Sequence, residues 1–255
     1  MPYIIEVVKA GNTIEVSKYY SSRFNKKGVK RGKRKQLTTD EQREVNKRAA
    51  EKKLRRLINE NFQEGDTHLV LDYKLSERPA GRKAMRADDF LQEMRKLYKS
   101  LGLVFKYIHV MEIGKKGALH HHLVINTPDE VSQRAITKAW KGRGRTHFNP
   151  LDDSGNYAKL ASYLIKQSDG MLKDPNALQG KRWNSSKNLR KPTILRKEPI
   201  KDKGWYNKIA RLPKKLEKSY YLDGDSVREG IQERTGNTFL TYTYVIIKHT
   251  CKQTE

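Results

Sequence analysis

The sequence has a single cysteine, Cys251, among its 255 residues, so neither an internal disulfide framework nor a cysteine-based zinc site is available to it. It also lacks an apolar run long enough to span a membrane, and its first residues, MPYIIEVVKAGNTIEV, lack the pattern of a secretory signal. No G-x-x-x-x-G-K-[ST] motif occurs, which argues against a fused helicase. From these absences we expect a cytoplasmic protein that is not exported.

Acidic residues are scarce relative to basic ones. The chain has 54 Lys and Arg against 29 Asp and Glu, a formal net charge of +25, while 36% of its residues are hydrophobic. The chain therefore has enough apolar residues for a core, and the surplus of cations must cover much of the surface. Nucleic acid is the expected partner, because neutralised phosphates release condensed counterions. An anionic membrane is the weaker alternative.

The first 64 residues predict an N-terminal hairpin, a basic arm and a charged helix. Two runs of β-branched and aromatic residues, 3–8 and 13–20, flank Gly11-Asn12, a pair suited to a hairpin turn. The stretch 23–35 has many cations and little to bury, so we expect it to be a solvated arm that contacts phosphates. Thr39 and Gln42 resemble a capping box at the start of a helix that continues to about Asn61.

Residues 65–170 predict a second domain that mixes strands and helices. The expected elements are a strand at 67–73, a helix at 88–101, a hairpin of strands 104–113 and 118–126 with its turn at 114–117, a helix at 128–140, a basic glycine loop at 141–145 and a helix at 155–167. This order is typical of an α+β fold with an antiparallel sheet and flanking helices. Residues 171–255 then form a basic extension, in which we expect a loop at 181–192, a helix near 205–216 and a strand at 239–248.

Three consecutive histidines lie inside one predicted strand. Side chains two residues apart share a face of a strand, so His120 and His122 project together and His121 points to the opposite face. The preceding strand supplies Glu112, which the turn brings back towards the two imidazoles. Two nitrogens and a carboxylate oxygen, with open positions for water and phosphate, make a candidate site for a divalent ion.

A candidate nucleophile follows in the helix at 155–167. Lys159, Tyr163 and Lys166 lie at helical spacing on one face, and the flanking ammonium groups are expected to favour the Tyr163 phenolate. Tyr157 is a second candidate, although Asp152 and Asp153 nearby disfavour its phenolate.

The histidine strand followed by Tyr163 and Lys166, as Y-L-I-K, resembles the HUH endonuclease superfamily, in particular the rolling-circle replication initiators of plasmids and phages. The segment HLVLDY at 68–73 is similar to their first-strand motif. The middle histidine departs from the family pattern, in which that position is usually hydrophobic. The resemblance covers about residues 65–170 and implies a five-stranded antiparallel sheet.

The resemblance also implies specific chemistry for these residues. His120, His122 and Glu112 would hold Mg²⁺ or Mn²⁺, Tyr163 would attack a DNA phosphodiester to leave a 5′-phosphotyrosine and a free 3′-hydroxyl, and Lys166 would lie near the phosphate or metal. The substrate would be single-stranded or cruciform origin DNA, guided by basic residues and by the stacking face of Trp140 or Trp183. We expect the DNA-binding residues to be Lys159, Arg143, Arg145, Lys181, Arg182 and Trp183. Unwinding and synthesis would depend on a host helicase and polymerase.

Two alternatives remain open from the sequence. A relaxase or transposase of the same superfamily would share the metal site and differ only in the steps after the nick. A non-catalytic, basic nucleic-acid-binding protein would make the histidines incidental. A nick that depends on a divalent ion separates the second alternative from the enzyme.

Overall fold

The computed structural model describes residues 3–21, 24, 38–78, 87–114, 118–172, 181–201, 208–209, 212, 214–232 and 236–247. Its chain contacts divide into two compact units, one formed by residues 1–46 and 191–255 and the other by residues 47–190. No helix in the described part of the chain is long and apolar enough to cross a membrane.

The first unit contains a five-stranded antiparallel sheet built from both ends of the chain. The strands are β1 (Tyr3–Ala10), β2 (Thr13–Tyr20), β8 (Thr193–Pro199), β9 (Tyr220–Ile231) and β10 (Thr238–Ile246), in the order β8-β1-β2-β10-β9. One face buries alternate apolar side chains of these strands, among them Ile5, Val16 and Tyr242. A short helix, α5 (Lys214–Glu217), precedes β9.

The second unit contains the other five-stranded antiparallel sheet, in the order β6-β3-β5-β4-β7. Its strands are β3 (Thr67–Asp72), β4 (Tyr107–Ile113), β5 (Leu119–Ile125), β6 (Thr146–Pro150) and β7 (Asn184–Ser185). The helices are α2 (Asp88–Ser100), α3 (Gln133–Ala139) and α4 (Ala158–Leu172), and α1 (Thr39–Asn61) enters this unit at residue 47. A short 3₁₀ turn lies at Leu75–Glu77.

The alternation of side chains along the strands gives this sheet two buried faces. Leu71, Leu123 and Ile125 project to one face, where they pack with α2, α3 and Trp140. Val110 and Val124 project to the other, where they pack with α1 and α4. Because β5 lies at the centre of the sheet, its side chains are covered from both sides, and this positions the three histidines that it carries.

The structure confirms the predicted α+β class and the antiparallel sheet with flanking helices. The predicted hairpins are present, since β1 pairs with β2 and β4 pairs with β5. The predicted helices at 39–61 and 88–101 match α1 and α2 closely, whereas α3 begins at Gln133 and α4 at Ala158, later than expected. The basic arm at 23–35 lies outside the described residues apart from Phe24, as do the turn residues 115–117, half of the expected helix at 205–216, and Cys251.

The capping box of α1 is one residue earlier than predicted. Thr38 Oγ1 accepts a hydrogen bond from the Glu41 amide at 3.2 Å, and the Glu41 carboxylate accepts one from the Thr38 amide at 2.7 Å. The sequence pattern allowed either position because residues 38 and 39 are both threonine. Glu41 lies three residues after Thr38, which is the spacing that a capping box requires.

The compact units do not follow the expected boundaries at 1–64, 65–170 and 171–255. The N-terminal hairpin and the C-terminal strands belong to one unit because β1 pairs with β8 and β2 pairs with β10. Residues 181–190 belong to the other unit, because β7 pairs with β4. This pairing between distant segments cannot be read from local patterns.

Candidate active site

Strand β5 divides the three histidines between the two faces of its sheet, as the alternation predicts. Asp72 on β3 and Glu112 on β4 both lie opposite His120, so their side chains share its face. His122, two residues further along, projects to the same face and is 2% exposed. This is the face that α4 covers with Leu164 and Ile165, so the candidate ligands and the candidate nucleophile lie on the same side of the sheet.

His122 is held on both ring nitrogens. Its Nε2 donates to Glu112 Oε2 at 2.6 Å, and its Nδ1 accepts from His68 Nε2 at 3.2 Å. The donor and acceptor roles follow from the carboxylate, which can only accept, and from the neutral state of the rings. Burial lowers the pKa of His68 to about 4, and it also lowers the pKa of His122 although the Glu112 carboxylate opposes that shift. Both imidazoles are therefore neutral near pH 7.

His120 is held by a carboxylate on its other side. Its Nδ1 donates to Asp72 Oδ1 at 2.6 Å, and Asp72 Oδ2 accepts from His147 Nε2 at 2.9 Å. Burial alone would raise the pKa of Asp72, but the hydrogen bonds from the two histidines outweigh it and the pKa is lowered. Asp72 is therefore ionised at neutral pH and fixes the tautomer of His120, which leaves the Nε2 of that ring as its coordinating atom.

Two imidazoles and a carboxylate are donor groups that suit a divalent cation, but their side chains do not converge on one point in this structure. Within the described residues, no three His, Cys, Asp or Glu side chains converge as a metal centre. His120, His122 and Glu112 nevertheless share a face, and the engaged Nδ1 of His120 leaves its Nε2 for coordination. The Nε2 of His122 donates to Glu112, so His122 would coordinate only after a metal replaces that hydrogen bond. Carboxylate-bonded imidazoles are typical of metal ligands.

Tyr163 lies beside the histidines. Its ring centroid is 5.6 Å from that of His122 and 5.9 Å from that of His68, and both contacts are edge-to-face. The side chain is 42% exposed, so it borders the histidine cluster and is also accessible from solvent. The structure thus places Tyr163 beside His122, which is bonded to Glu112.

The electrostatic environment of Tyr163 differs from the expected one. Burial raises the pKa of Tyr163, the Glu112 carboxylate raises it further, and a hydrogen bond with Gln167 opposes both. Lys159 and Lys166, whose ammonium groups were expected to favour the phenolate, are exposed on the same helix, and the pKa of Tyr163 is raised despite their charge. The Glu112 carboxylate thus has the opposite effect on the phenol to the one expected from the lysines.

Tyr157 has a structural environment. It is 4% exposed, packs in the apolar cluster between the sheet, α1 and α4, and donates its hydroxyl to the Asp152 carbonyl at 3.1 Å. Burial and the nearby carboxylates, Asp152 first, raise its pKa. Its hydroxyl group is therefore both enclosed and engaged.

The glycine loop at 141–145 is anchored to the end of β3. The Asp72 amide donates to the Arg145 carbonyl at 3.0 Å, and the Lys74 amide donates to the Arg143 carbonyl at 2.8 Å. Arg143 pairs with Asp89 at 2.7 Å and lies over the ring of Trp140, whereas the side chain of Arg145 is exposed. Of the two predicted DNA contacts in this loop, Arg145 is the more available.

Of the other predicted DNA contacts, Lys159 is exposed on α4, and three lie together in the segment that carries β7. Lys181 is exposed, Trp183 is half-buried, and Arg182 forms an ion pair with Asp169. Trp140, the other tryptophan considered as a stacking face, is wholly buried and donates its Nε1 proton to the Asp72 carbonyl, so it cannot receive a base.

Sequence reasoning gave no role to Asp72, His68 or His147. Asp72 and His68 lie in the HLVLDY segment at 68–73, which resembles a first-strand motif. Residues 68, 70 and 72 alternate along a strand, so the sequence could have predicted that His68 and Asp72 share one face. No signal in the sequence pairs β3 with the histidine strand.

His121 belongs to a separate hydrogen-bonded chain on the opposite face. It is wholly buried between Tyr73, whose hydroxyl is 2.9 Å from its Nε2, and His109, whose Nε2 is 2.9 Å from its Nδ1. Burial lowers the pKa of His109 to about 4 and that of His121 well below its usual value. The polar middle residue is thus satisfied inside the sheet, and it does not point towards the candidate metal ligands.

Part of the chain is similar to a family of known proteins. Residues 66–168 match the family described as replication-associated protein ORF2/G2P. The matched segment contains Asp72, Glu112, His120, His122 and Tyr163, and it lies within the second unit. No curated protein and no solved structure matches the chain.

Proposed function

We propose that this protein initiates rolling-circle DNA replication as an endonuclease of the HUH type, which nicks and rejoins single-stranded origin DNA through a 5′-phosphotyrosine. The observation that carries the proposal is the contact of Tyr163 with His122, whose Nε2 is bonded to Glu112. The match of this segment to a replication-associated family supports it.

In the proposed reaction, the Tyr163 oxygen forms a bond to phosphorus as the bond from phosphorus to the 3′ oxygen breaks. The phenol loses its proton, and the departing 3′ oxygen takes one up. Mg²⁺ or Mn²⁺, held by His120, His122 and Glu112, would supply charge withdrawal from a phosphate oxygen. The protein's own residues orient the imidazoles through Asp72 and His68 and place the phenol at the edge of the cluster.

The raised pKa of Tyr163 has a consequence for the pH dependence of the reaction. Its phenolate is the minor form at neutral pH, and its fraction increases tenfold with each unit that the pH rises towards the pKa. Adduct formation should therefore accelerate as the pH rises.

Lys166 is exposed one turn along α4 and is proposed to contact the phosphate.

Mass spectrometry can identify the nucleophile directly, because trypsin separates the two tyrosines. Tyr163 lies in the peptide 160–166 and Tyr157 in the peptide 146–159. After reaction with a pool of single-stranded oligonucleotides and Mn²⁺, followed by nuclease digestion, we expect a nucleotide adduct on peptide 160–166. The Tyr163→Phe variant should bind DNA and form no adduct, whereas Tyr157→Phe should still form one.

Different outcomes of this experiment point to different functions. An adduct on peptide 146–159 would move the nucleophile to Tyr157. Binding without an adduct on either peptide, and without a metal-dependent nick in supercoiled DNA, would leave a non-catalytic nucleic-acid-binding protein. Rejoining to a second strand without support of replication would favour the relaxase or transposase alternative.

A further inference from the structure

A cleft of about 950 Å³ lies at the edge of β4. We call it the β4-edge cleft, and it is lined by Ala50, Lys53, Leu57, Ala87, Asp88, Leu91, Tyr107, His109, Met111 and the segment 181–185. All of these residues belong to the second unit. The volume is in the range of pockets that enclose small organic groups.

The cleft borders the part of β4 that no described strand covers. β7 pairs with β4 only at Ile108 and His109, although β4 continues to Ile113. Met111 lines the cleft, and the next residue, Glu112, projects from the other face of the sheet to His122. The cleft and the candidate active site therefore adjoin the same short stretch of one strand.

Trp183 provides an aromatic surface in this cleft. It packs against the apolar cluster that contains Leu54 and Ile58, which fixes the ring, and it also lines the cleft. Lys53 Nζ is 6.0 Å from the centre of the ring. A fixed indole with a cation beside it is the combination that binds unstacked nucleobases in single-stranded nucleic acid.

The charge of the cleft favours a polyanion. Lys53 and Lys181 are exposed, and Arg182 forms an ion pair with Asp169. Among the lining residues that the structure describes, Asp88 is the one carboxylate. His109 is neutral because burial lowers its pKa to about 4. Phosphates can therefore contact two lysines at the rim while a base enters between the apolar walls.

We propose that the β4-edge cleft binds one or a few unpaired nucleotides of the DNA strand, with a base stacked on Trp183 and the backbone at Lys53 and Lys181. This rests on the proposed function, and it adds a base-binding site distinct from the candidate active site. A duplex is the less suitable ligand because its bases are already stacked and cannot enter the cleft.

The first test compares two strands of equal charge, a short single-stranded oligonucleotide and its fully abasic counterpart, bound in EDTA so that no cleavage chemistry contributes. Stacking of one base is worth about 5- to 150-fold in affinity. Wild-type protein should prefer the base-carrying strand by at least this factor, and Trp183→Leu should reduce the preference by about the same factor. Trp183→Phe should retain most of it.

Two further variants separate stacking from charge. Lys181→Ala should weaken binding of both strands equally, because it removes a phosphate contact. Tyr221→Leu removes an exposed aromatic from the other unit and should change neither affinity. Equal preference for the base-carrying strand in wild type and Trp183→Leu would overturn the proposal.

A crosslinking measurement keeps the test decisive if Trp183→Leu fails to fold. Strands carrying 5-iodouracil are irradiated with wild-type protein, and the crosslinked tryptic peptide is identified. Trp183 lies in peptide 183–187, Trp140 in 139–141 and Trp205 in 204–208. A crosslink on 183–187 supports the site, and crosslinks elsewhere only would contradict it. Since neither measurement involves a nick, failure of the endonuclease proposal would leave these results unaffected, and the reverse also holds.

Discussion

At the scale of single residues, the candidate site depends on how two imidazoles are held. Asp72 accepts from both His120 and His147, and His68 donates to His122, so each candidate ligand has its Nδ1 engaged. Carboxylates that orient a ligating histidine typically affect metal affinity by about 10- to 100-fold. We therefore infer a positioning role for Asp72, which a metal-binding measurement can test without any catalysis.

We therefore expect Asp72→Asn to weaken Mn²⁺ binding by about 10- to 100-fold, because the amide no longer supplies a charged acceptor to His120. Isothermal titration calorimetry without DNA measures this directly. Asp89→Asn is the matched control, since it removes a carboxylate of the same unit that pairs with Arg143 at 2.7 Å. Unchanged Mn²⁺ affinity in Asp72→Asn would contradict the positioning role.

The sequence was informative about the histidines and less so about their partners. Alternation along a strand alone predicts that His120 and His122 share one face and that His121 lies on the other. The structure shows this arrangement. Glu112 was expected to approach the imidazole pair, and its carboxylate bonds to His122 although the register pairs it with His120. Asp72 had no predicted role because the strand order that places β3 beside β5 depends on contacts between distant segments.

At the scale of elements, the loop between α3 and β6 has two glycines with different requirements. A Cβ at Gly144 would lie 1.9 Å from the Asp72 carbonyl oxygen, which cannot move easily because it also accepts from Trp140. Gly142 has open space around its Cα but a φ of +68°. Glycine is required at position 144 because the loop backbone lies against the Asp72 carbonyl, and it is favoured at position 142 because of the positive φ angle.

This difference predicts unequal costs for two similar substitutions. Gly144→Ala should lower the free energy of unfolding by about 3 kcal/mol or more, because a backbone clash must be relieved within a packed region. Gly142→Ala should lower it by only about 1 kcal/mol, the usual cost of a left-handed alanine. Urea unfolding of both variants gives the comparison. Similar losses in the two would mean that the loop does not press on β3.

Elements with strong local patterns were predictable, and those without were not. The spacing of Phe90, Met94 and Tyr98 identified α2, and alternation identified β3 and β5. Strands β6 and β8 were missed because their residues are largely exposed and carry no alternating apolar pattern. Such edge strands form because a neighbouring strand offers unpaired backbone hydrogen-bonding groups. The local sequence pattern gives no information about that neighbour.

At the scale of the whole molecule, the chain places one unit inside the sequence of the other. The first unit is assembled from residues 1–46 and 191–255, so its sheet forms only when the two ends of the chain meet. The second unit is continuous from 47 to 190 and contains the segment that matches the replication-associated family. The motifs pointed to residues 65–170, which lie within the second unit, whereas the topology of the first unit depends on long-range pairing.

The net charge of +25 predicts how DNA binding responds to salt. Each neutralised phosphate of a single strand contributes about −0.7 to the slope of log K against log salt concentration. If six to ten phosphates are contacted, the slope should be about −4 to −7. Fluorescence anisotropy with a labelled single strand in EDTA measures it across a range of salt concentrations.

Variants of this measurement assign the slope to particular groups. Tyr163→Phe should keep the wild-type slope, because the phenol contributes no charge. Lys181→Ala should reduce the magnitude by about 0.7, the effect of one phosphate contact. Lys96→Ala is the control, since Lys96 pairs with Glu93 on the exposed side of α2 and lies outside the β4-edge cleft. A flat salt dependence in the wild-type protein would remove the nucleic-acid interpretation of the charge, because counterion release accompanies any binding to phosphates.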